Sequence, residues 1–161
     1  MSTNLLAFKK MLRFSEGTLN HKLTKNGGYD VIVTGLDGKL EVFTDYSDHP
    51  FANGRPGKVF NKAGQRSTAS GAYQQLLRYW PAYKTQLGLP DFSPESQEKL
   101  CDQLLREQKA MPLIEAGKIT EAIQACANIW ASLPGAGYAQ HERQLDALLK
   151  AYQDFGGKLT G

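Results

Sequence analysis

Long apolar runs are missing from this 161-residue chain, and their absence limits the classes of protein to which it can belong. No run approaches the roughly 20 residues that a membrane-spanning helix needs. The opening MSTNLLAFKKMLRF is interrupted by Lys9, Lys10 and Arg13, so it lacks the apolar core of a signal peptide. We therefore expect a protein that is made in the cytosol and stays there unless another factor releases it.

Cysteine and histidine are also scarce. The two cysteines, Cys101 and Cys126, do not define a disulfide framework, and each falls on an apolar helical stripe, which predicts buried free thiols. The three histidines, His21, His49 and His141, do not have the spacing of a metal-binding motif. We therefore expect neither a metal nor another cofactor.

A concentration of charge of one sign is the third feature that the chain lacks. It has 19 basic and 16 acidic residues, a net charge of +3, and its lysines and arginines are scattered. Nucleic-acid-binding proteins usually carry a basic patch or stripe, so this class is disfavoured. A mild positive charge also suits bacterial cell wall, which is anionic, so charge alone does not select the partner.

Helical patterning covers most of the chain, which is long enough for one domain over residues 1–161. A first helix is predicted, with Ser2 or Thr3 as its cap and Gly17 as its stop. The later predictions are a helix over residues 72–87 broken by Pro81, a helix beginning at Ser93-Pro94, a helix over 120–133 capped by Thr120, and a final amphipathic helix closed by Gly156.

The β signal is confined to one region. Two runs rich in β-formers, Val31 to Thr34 and Leu40 to Phe43, flank Asp37-Gly38, a strong hairpin signal. Residues 47–70 are rich in Gly, Pro, Asn and Ser and predict a long irregular stretch, which is often functional in a compact domain. A helical lobe and a small antiparallel sheet together predict an α+β fold with a ligand-binding cleft between them.

Glu16 is the carboxylate whose position in KKMLRFSEGTLNHK indicates chemistry. The C-terminal end of a helix disfavours an ionised glutamate, and an apolar wall from Phe14 would raise its pKa further. A glutamate that is protonated near neutral pH is the general acid that glycosidases use. The alternative is a solvated helix-end glutamate. Asp30, Asp45 and Asp48 are open candidates for a second carboxylate, although each also suits an ordinary turn.

Aromatic residues near predicted loops and helix ends suit carbohydrate, because sugar faces stack on rings. Core packing is the favoured interpretation for two of them, Trp80 and Trp130, since both lie on helical stripes.

Five blocks of the sequence, in this order, resemble the lambda-type phage endolysins: RFSEGT (13–18), GYDVIV (28–33), FTDYSDHP (43–50), QLGLPDFSPESQ (86–97) and NIWASLPGAGY (128–138). The resemblance covers roughly residues 7 to 155. It implies a lysozyme-like α+β fold and lytic transglycosylase activity. Such an enzyme cleaves the β-1,4 bond between N-acetylmuramic acid and N-acetylglucosamine and leaves a 1,6-anhydro end. The alternatives are a hydrolytic lysozyme of the same fold and a wall-binding or inhibitor module without activity.

The resemblance also implies site residues. Glu16, in the Ser-Glu-Gly motif, corresponds to the catalytic acid. The implied substrate-binding residues are Asp30, Tyr46, Ser70, Tyr73, Gln74, Asn128 and Tyr138, and the loops 48–56 and 134–140 resemble two lips of the cleft. One departure is that the family's Gly-Arg-Tyr-Gln is Gly71-Ala72-Tyr73-Gln74 here, so any sugar or peptide contact made by that arginine is lost or is supplied by a neighbour such as Arg78.

The partners implied by the resemblance are peptidoglycan glycan strands and a separately encoded membrane-permeabilising protein. The enzyme would be a monomer that reaches the peptidoglycan of the periplasm after the membrane is opened. Nucleic acid is not an expected partner.

Overall fold

The structure is a computed structural model that describes residues 2–134 and 139–160, with only the backbone described for 139–143. Within these ranges, no helix combines the length and the apolar character needed to cross a membrane. The described α-helices are α1 Thr3–Ser15, α2 Trp80–Leu87, α3 Pro94–Glu107, α4 Met111–Glu115, α5 Ile119–Cys126 and α6 Ala139–Asp154. The strands are β1 Val31–Ile32, β2 Glu41–Val42, β3 Lys58–Val59 and β4 Arg66–Ser67.

The chain divides into two compact units. Met1–Glu16 and Asp102–Gly161 form the first, called here the helical unit. Gly17–Cys101 forms the second, called here the loop-rich unit. The expectation of one domain over residues 1–161 stays a prediction.

The helical unit packs α1 against α4 and α6, and α5 against the same two helices. Ser2 begins α1 as predicted, because its hydroxyl accepts a hydrogen bond from the Leu5 backbone N–H at 3.1 Å. The Lys9 ammonium is buried on the inner face of α1 and forms an ion pair with Asp102 at 2.6 Å. The apolar core of this unit includes Leu5, Phe8, Met11, Leu12, Leu105, Ile114, Ile119, Ile123, Trp130, Leu148 and Tyr152.

The predicted helix over residues 120–133 is wrong at both ends. Helix α5 begins at Ile119, after Lys118, so Thr120 lies inside the helix and does not cap it. It ends at Cys126, whose carbonyl accepts hydrogen bonds from the N–H groups of Ile129 and Trp130. The chain then turns, Trp130 is buried, and Ile129, which was predicted to face inward, is 37% exposed. Burial of one large indole outweighs the weak helical preference of this stretch.

The first hairpin of the loop-rich unit is shorter than predicted. Val31 pairs with Val42 and Ile32 with Glu41, a register centred on Leu36-Asp37, one residue before the predicted Asp37-Gly38. The Gly38 N–H donates to the Gly35 carbonyl at 3.0 Å, so a turn is present over residues 35–38, with Leu36 and Asp37 at its centre. The Val33 N–H, however, donates to the Ala69 carbonyl and not to the opposite strand. A non-local partner therefore ends β1 after two residues.

Residues 47–70 were predicted to be irregular throughout, and this prediction is wrong in part. They contain a second antiparallel hairpin in which Lys58 pairs with Ser67 and Val59 with Arg66. Asn61 closes its turn, since its side-chain oxygen accepts the Gln65 backbone N–H at 3.1 Å. Strands of two residues are too short to show the alternation of apolar and polar residues by which strands are recognised in a sequence.

Pro81 begins a helix and does not break one, so the helix predicted over residues 72–87 is confirmed for Trp80–Leu87 and wrong for residues 72–79. A 3-10 helix over Leu77–Tyr79 leads into α2, where Pro81 occupies the first turn. Proline is tolerated there because its missing N–H would have no intrahelical acceptor. Helix α3 begins at Pro94 as predicted, and Ser93 caps it by accepting the Ser96 N–H at 3.3 Å.

Buried aromatic rings and thiols agree with the sequence analysis. Trp80 and Trp130 are core residues, and the Trp80 ring meets the Phe92 ring edge-on with centroids 4.9 Å apart. Cys101 and Cys126 are buried thiols outside any disulfide, as predicted.

Candidate active site

Glu16 lies where helix α1 ends. Its backbone N–H donates to the Leu12 carbonyl at 2.8 Å, and Gly17 follows with φ at +76°, a left-handed conformation that stops the helix. The side chain is half-buried. Its Oε1 accepts a hydrogen bond from the Ser132 hydroxyl at 3.1 Å. The predicted helix end therefore places the carboxyl beside a polar partner that is distant in sequence.

Burial raises the pKa of the Glu16 carboxyl to about 7, although the hydrogen bond from Ser132 opposes the shift. Near neutral pH the carboxyl is therefore divided between its protonated and ionised forms, which suits a group that both donates and accepts a proton. The direction of this shift is the one expected from the sequence. The Phe14 side chain, expected to form an apolar wall, is 41% exposed, so its share in the shift stays a prediction.

Ser132 was missed in the sequence analysis. Its hydroxyl lies 2.8 Å from that of Ser15 and 3.1 Å from Glu16, so the three side chains form a short polar chain. Ser132 lies in a turn that the Leu133 N–H closes by donating to the carbonyl of the buried Trp130 at 3.0 Å, and Asn128, in the preceding turn, is exposed. Ser132 lies within the block NIWASLPGAGY that resembles the family, but nothing in the sequence distinguished this serine from the others in the chain. Tyr138, at the end of this block, lies outside the described residues.

Asp30 lies in the loop-rich unit and is only 4% exposed. One carboxylate oxygen accepts a hydrogen bond from the Thr24 hydroxyl, and the other accepts the Lys25 N–H at 2.9 Å. The Thr24 hydroxyl oxygen also accepts the Gly28 N–H at 2.8 Å. Both oxygens of Asp30 therefore hold the loop over residues 24–30 in place.

Tyr46 lies at the surface of the same unit. Its hydroxyl accepts a hydrogen bond from the Asn26 side-chain amide at 3.1 Å, and its ring packs on Phe43 with centroids 5.0 Å apart. Burial raises the pKa of the Tyr46 hydroxyl. The half-buried ring keeps part of its surface open to a ligand.

Ser70 and Gln74 belong to a tight loop over residues 70–75. The Ser70 and Gln75 backbones exchange two hydrogen bonds, of 3.1 and 2.8 Å, which close the loop. Gln74 has φ at +53°, which is uncommon for a residue with a side chain. Ser70 is buried and donates its hydroxyl to the Thr68 carbonyl at 3.0 Å.

The buried side chain of Gln97, which the sequence analysis did not select, holds this loop in place through three hydrogen bonds. Its side-chain oxygen accepts the Ala72 N–H at 2.9 Å, and its side-chain amide donates to the carbonyls of Tyr29 and Phe92 at 3.1 and 2.9 Å. The Ala72 carbonyl in turn accepts the Thr18 hydroxyl at 2.7 Å. A Cβ atom at position 71 would lie 2.4 Å from the Gln97 oxygen, so the contact requires the glycine found there.

Tyr73, on the same loop, is buried and donates its hydroxyl to Glu98 at 2.6 Å. Tyr29 donates to the same carboxylate oxygen at 2.7 Å. Two phenol donors therefore converge on one carboxylate of helix α3. This arrangement stabilises the loop from its inner side.

Asp45 and Asp48 line a cavity of about 470 Å³, together with Glu41, Phe43, His49 and Arg55 among others. Hydrogen bonds from Ser47 lower the pKa of Asp45. Burial alone would raise the pKa of Asp48, but hydrogen bonds from the Trp80 indole and the His49 N–H, with Lys84 nearby, lower it overall. Neither carboxyl resembles Glu16 as a proton donor.

The predicted site residues thus fall in two groups. Glu16 and Asn128 belong to the helical unit, and Asp30, Tyr46, Ser70, Tyr73 and Gln74 belong to the loop-rich unit. Within the described ranges, no three His, Cys, Asp or Glu side chains cluster as metal ligands would.

Comparisons with known proteins agree with this geometry. The structure matches the lysozyme from bacteriophage lambda with a TM-score of 0.87 and 45% identity, covering 99% of this chain and 98% of that one. It also matches bacteriophage lambda lysozyme complexed with a chitohexasaccharide, with a TM-score of 0.84, 46% identity and the same coverage. The fold is therefore the lysozyme-like α+β fold that the sequence predicts.

Sequence comparison identifies the family. A family profile described as Endolysin matches residues 6–159. The chain is 64% identical over 154 residues to the endolysin of Escherichia phage P2, covering 96% of this chain and 93% of that protein. It is 50% identical over 152 residues to the endolysin of Escherichia phage lambda, covering 94% and 90%. The chain belongs to the endolysin family of peptidoglycan-degrading enzymes, which confirms the resemblance found in the sequence.

Proposed function

We propose that this endolysin is a lytic transglycosylase. It cleaves the β-1,4 bond between N-acetylmuramic acid and N-acetylglucosamine and forms a 1,6-anhydro end on the muramic sugar. The observation that carries the proposal is Glu16, a half-buried carboxyl with a pKa of about 7 and one hydroxyl partner in Ser132. A related phage lysozyme was solved with a chitohexasaccharide, which supports a β-1,4-linked amino-sugar polymer as the substrate class.

In the proposed reaction Glu16 acts first as an acid. It donates its proton to the glycosidic oxygen as that bond breaks and positive charge develops at C1 of the muramic ring. The ionised Glu16 then takes the proton of the C6 hydroxyl on the same ring. The hydroxyl oxygen bonds to C1 and closes the anhydro ring, so no water is consumed and Glu16 ends protonated. Because the attack is intramolecular, it gains from proximity.

The state of the other carboxylates favours this route over hydrolysis. A retaining hydrolase needs a second carboxylate as nucleophile, and an inverting one needs a base that activates water. Both oxygens of Asp30 are occupied by Thr24 and Lys25, and the side chain is buried. A carboxylate held in this way is a poor nucleophile toward a sugar. Asp30 serves the reaction better by ordering the loop that it binds.

The remaining predicted contacts take two kinds of role in this proposal. Tyr46, Gln74 and Asn128 have side chains accessible at the surface, and they bind sugar rings and hydroxyls directly. Ser70 and Tyr73 are buried and act on the substrate through the loop that carries Gln74. Alanine variants at Tyr46 and Asn128 should raise KM for glycan strands, and an unchanged KM would contradict this assignment.

We also infer that the enzyme works as a monomer on periplasmic peptidoglycan after a separately encoded protein permeabilises the membrane. The motivation is family membership. Cells that express this chain should lyse only when a permeabilising protein is expressed with it. Lysis by this chain alone would contradict the inference.

Mass spectrometry of the products tests the reaction. Purified protein is incubated with peptidoglycan in water enriched in ¹⁸O. Anhydro products one water lighter than the hydrolytic ones, and free of ¹⁸O, support the proposal. Products that carry ¹⁸O at C1 would establish the hydrolytic lysozyme in its place. Binding to cell wall without released fragments would indicate a binding module.

A further inference from the structure

A second concave site lies in the loop-rich unit, away from the acidic cavity beside Asp48. It has a volume of about 500 Å³ and is lined by Phe60, Arg66, Ser67, Thr68, Leu76, Leu77 and Arg78. We call it the Arg66–Arg78 groove. Among the residues that the structure describes, two arginines and no carboxylate line it. The cavity near Asp48 has the opposite character, with three carboxylates in its lining.

The floor of the groove is held in place by hydrogen bonds. The Thr68 hydroxyl oxygen accepts the Leu77 N–H at 2.9 Å, which fastens the chain after β4 to the start of the 3-10 helix. The Ala69 carbonyl accepts the Val33 N–H at 2.9 Å, which joins the same segment to the chain after β1. The two arginines flank this junction in sequence, so their backbones are set before any ligand arrives.

Both guanidinium groups keep donors available. Arg66 donates one N–H to the Gly57 carbonyl at 2.7 Å, and Arg78 stacks on the Tyr79 ring and donates to its hydroxyl. A guanidinium has five N–H donors in a fixed fork that matches a carboxylate. Both arginine side chains are exposed, so the remaining donors can reach a ligand.

The rest of the lining is apolar. The Phe60 ring is 45% exposed, and Leu76 and Leu77 are partly exposed beside it. A ligand that suits this groove therefore combines carboxylates with small apolar groups. A neutral sugar carries no charge to complement the two guanidinium groups.

We propose that the Arg66–Arg78 groove binds the acidic stem peptide carried by the muramic sugars of peptidoglycan. The inference rests on the proposed function, which supplies the substrate. The stem peptide bears free carboxylates for the arginines and alanine methyl groups for Phe60 and the two leucines. The peptide is attached to the glycan, and Gln74, a proposed sugar contact of the same unit, lies two residues before Leu76 of the groove. The groove thus favours strands that still carry their peptides.

The test compares two substrates made from one preparation. One is glycan with intact tetrapeptides, and the other is the same glycan after an amidase has removed the peptides. The double variant R66A/R78A should lose about tenfold more in kcat/KM on the peptide-bearing strands than on the bare strands. The matched control is K39A/K62A, which removes two exposed cations outside the groove and should leave both rates unchanged.

A binding measurement makes the inference independent of turnover. Free tetrapeptide titrated into ¹⁵N-labelled wild-type protein should shift the side-chain Nε–H signals of Arg66 and Arg78, and those of Arg13 and Arg106 much less. Shifts of equal size with inorganic phosphate at the same concentration would indicate a general anion site and overturn the inference.

The outcomes separate the two proposals. Equal losses on both substrates, or no loss on peptide-bearing strands, would overturn the groove as a peptide site while leaving the proposed reaction intact. Failure of the wild-type protein to release fragments from either substrate would overturn the proposed function itself. The tetrapeptide titration would still decide whether the groove binds the peptide.

Discussion

The helical unit and the loop-rich unit are stabilised in different ways. In the helical unit, apolar side chains at helical spacing form the core, and the candidate catalytic carboxyl has one side-chain hydrogen-bond partner. In the loop-rich unit the four strands have two residues each, and the loops are held by hydrogen bonds that the Asp30, Gln97 and Thr68 side chains accept and that the Thr18 hydroxyl donates. The carboxyl of a general acid must be partly removed from water so that its pKa rises. Buried polar groups of loops, by contrast, must be hydrogen-bonded for the loops to be stable.

The largest expected effect is on the reaction. Glu16→Gln should remove at least about a thousandfold of the lytic activity, because the amide cannot donate a proton to the glycosidic oxygen. The fold should be retained, since the amide can still meet the Ser132 hydroxyl. The measurement is the rate of fragment release from peptidoglycan. Glu121→Gln, at an exposed site of α5, is the control, and activity of E16Q within tenfold of wild type would refute the role of Glu16.

Asp30→Asn tests the carboxylate of the other unit. We expect impaired but measurable turnover, lower by at most about 10²–10³-fold, because Asp30 does not attack the sugar. The amide would present donors where the Lys25 N–H now finds an oxygen, which loosens the loop over residues 24–30. The product should remain the anhydro form. A covalent sugar adduct on Asp30 of the wild-type enzyme would promote the hydrolytic mechanism.

Gln97→Leu tests whether paired polar groups stabilise the loop-rich unit. The substitution leaves the Ala72 N–H and the carbonyls of Tyr29 and Phe92 without their present partner. We expect the free energy of unfolding to fall by about 3–4 kcal/mol. Urea denaturation measures it, and Gln124→Leu at an exposed position of α5 should change it by less than about 0.5 kcal/mol. An equal loss of unfolding free energy at the two positions would contradict the role of buried hydrogen bonds in stabilising the loop-rich unit.

The smallest expected effect is a dependence of stability on pH. Unfolded Glu16 releases its proton near pH 4.5, whereas in the folded protein its pKa is about 7. Between these values the folded state binds more protons, so stability falls as pH rises. At pH 8 the cost reaches about 3 kcal/mol at most. E16Q should therefore be more stable than wild type at pH 8 and no different at pH 3.5. Equal stability of the two proteins at pH 8 would show that Glu16 is solvated.

The sequence by itself determined the features that depend on local chemistry. The start of α1 at Ser2, its end beside Gly17, the start of α3 at Pro94 and the burial of both cysteines follow from caps, glycine and apolar spacing. The blocks around Glu16, Asp30 and Asp48 were enough to indicate the family. These features depend on interactions between residues that are close in sequence, so they can be predicted from the order of the residues.

The tertiary structure alone decided the contacts between distant residues. Ser132 meets Glu16 across 116 positions, and Gln97 meets Ala72 across 25. Strand β1 ends after two residues because Val33 bonds to Ala69, and α5 ends at Cys126 where the chain turns to bury Trp130. Such contacts depend on loop closure and burial, which involve the whole fold and leave no periodic signal in the sequence. The pKa of Glu16 belongs to this second group, because desolvation by the folded chain raises it.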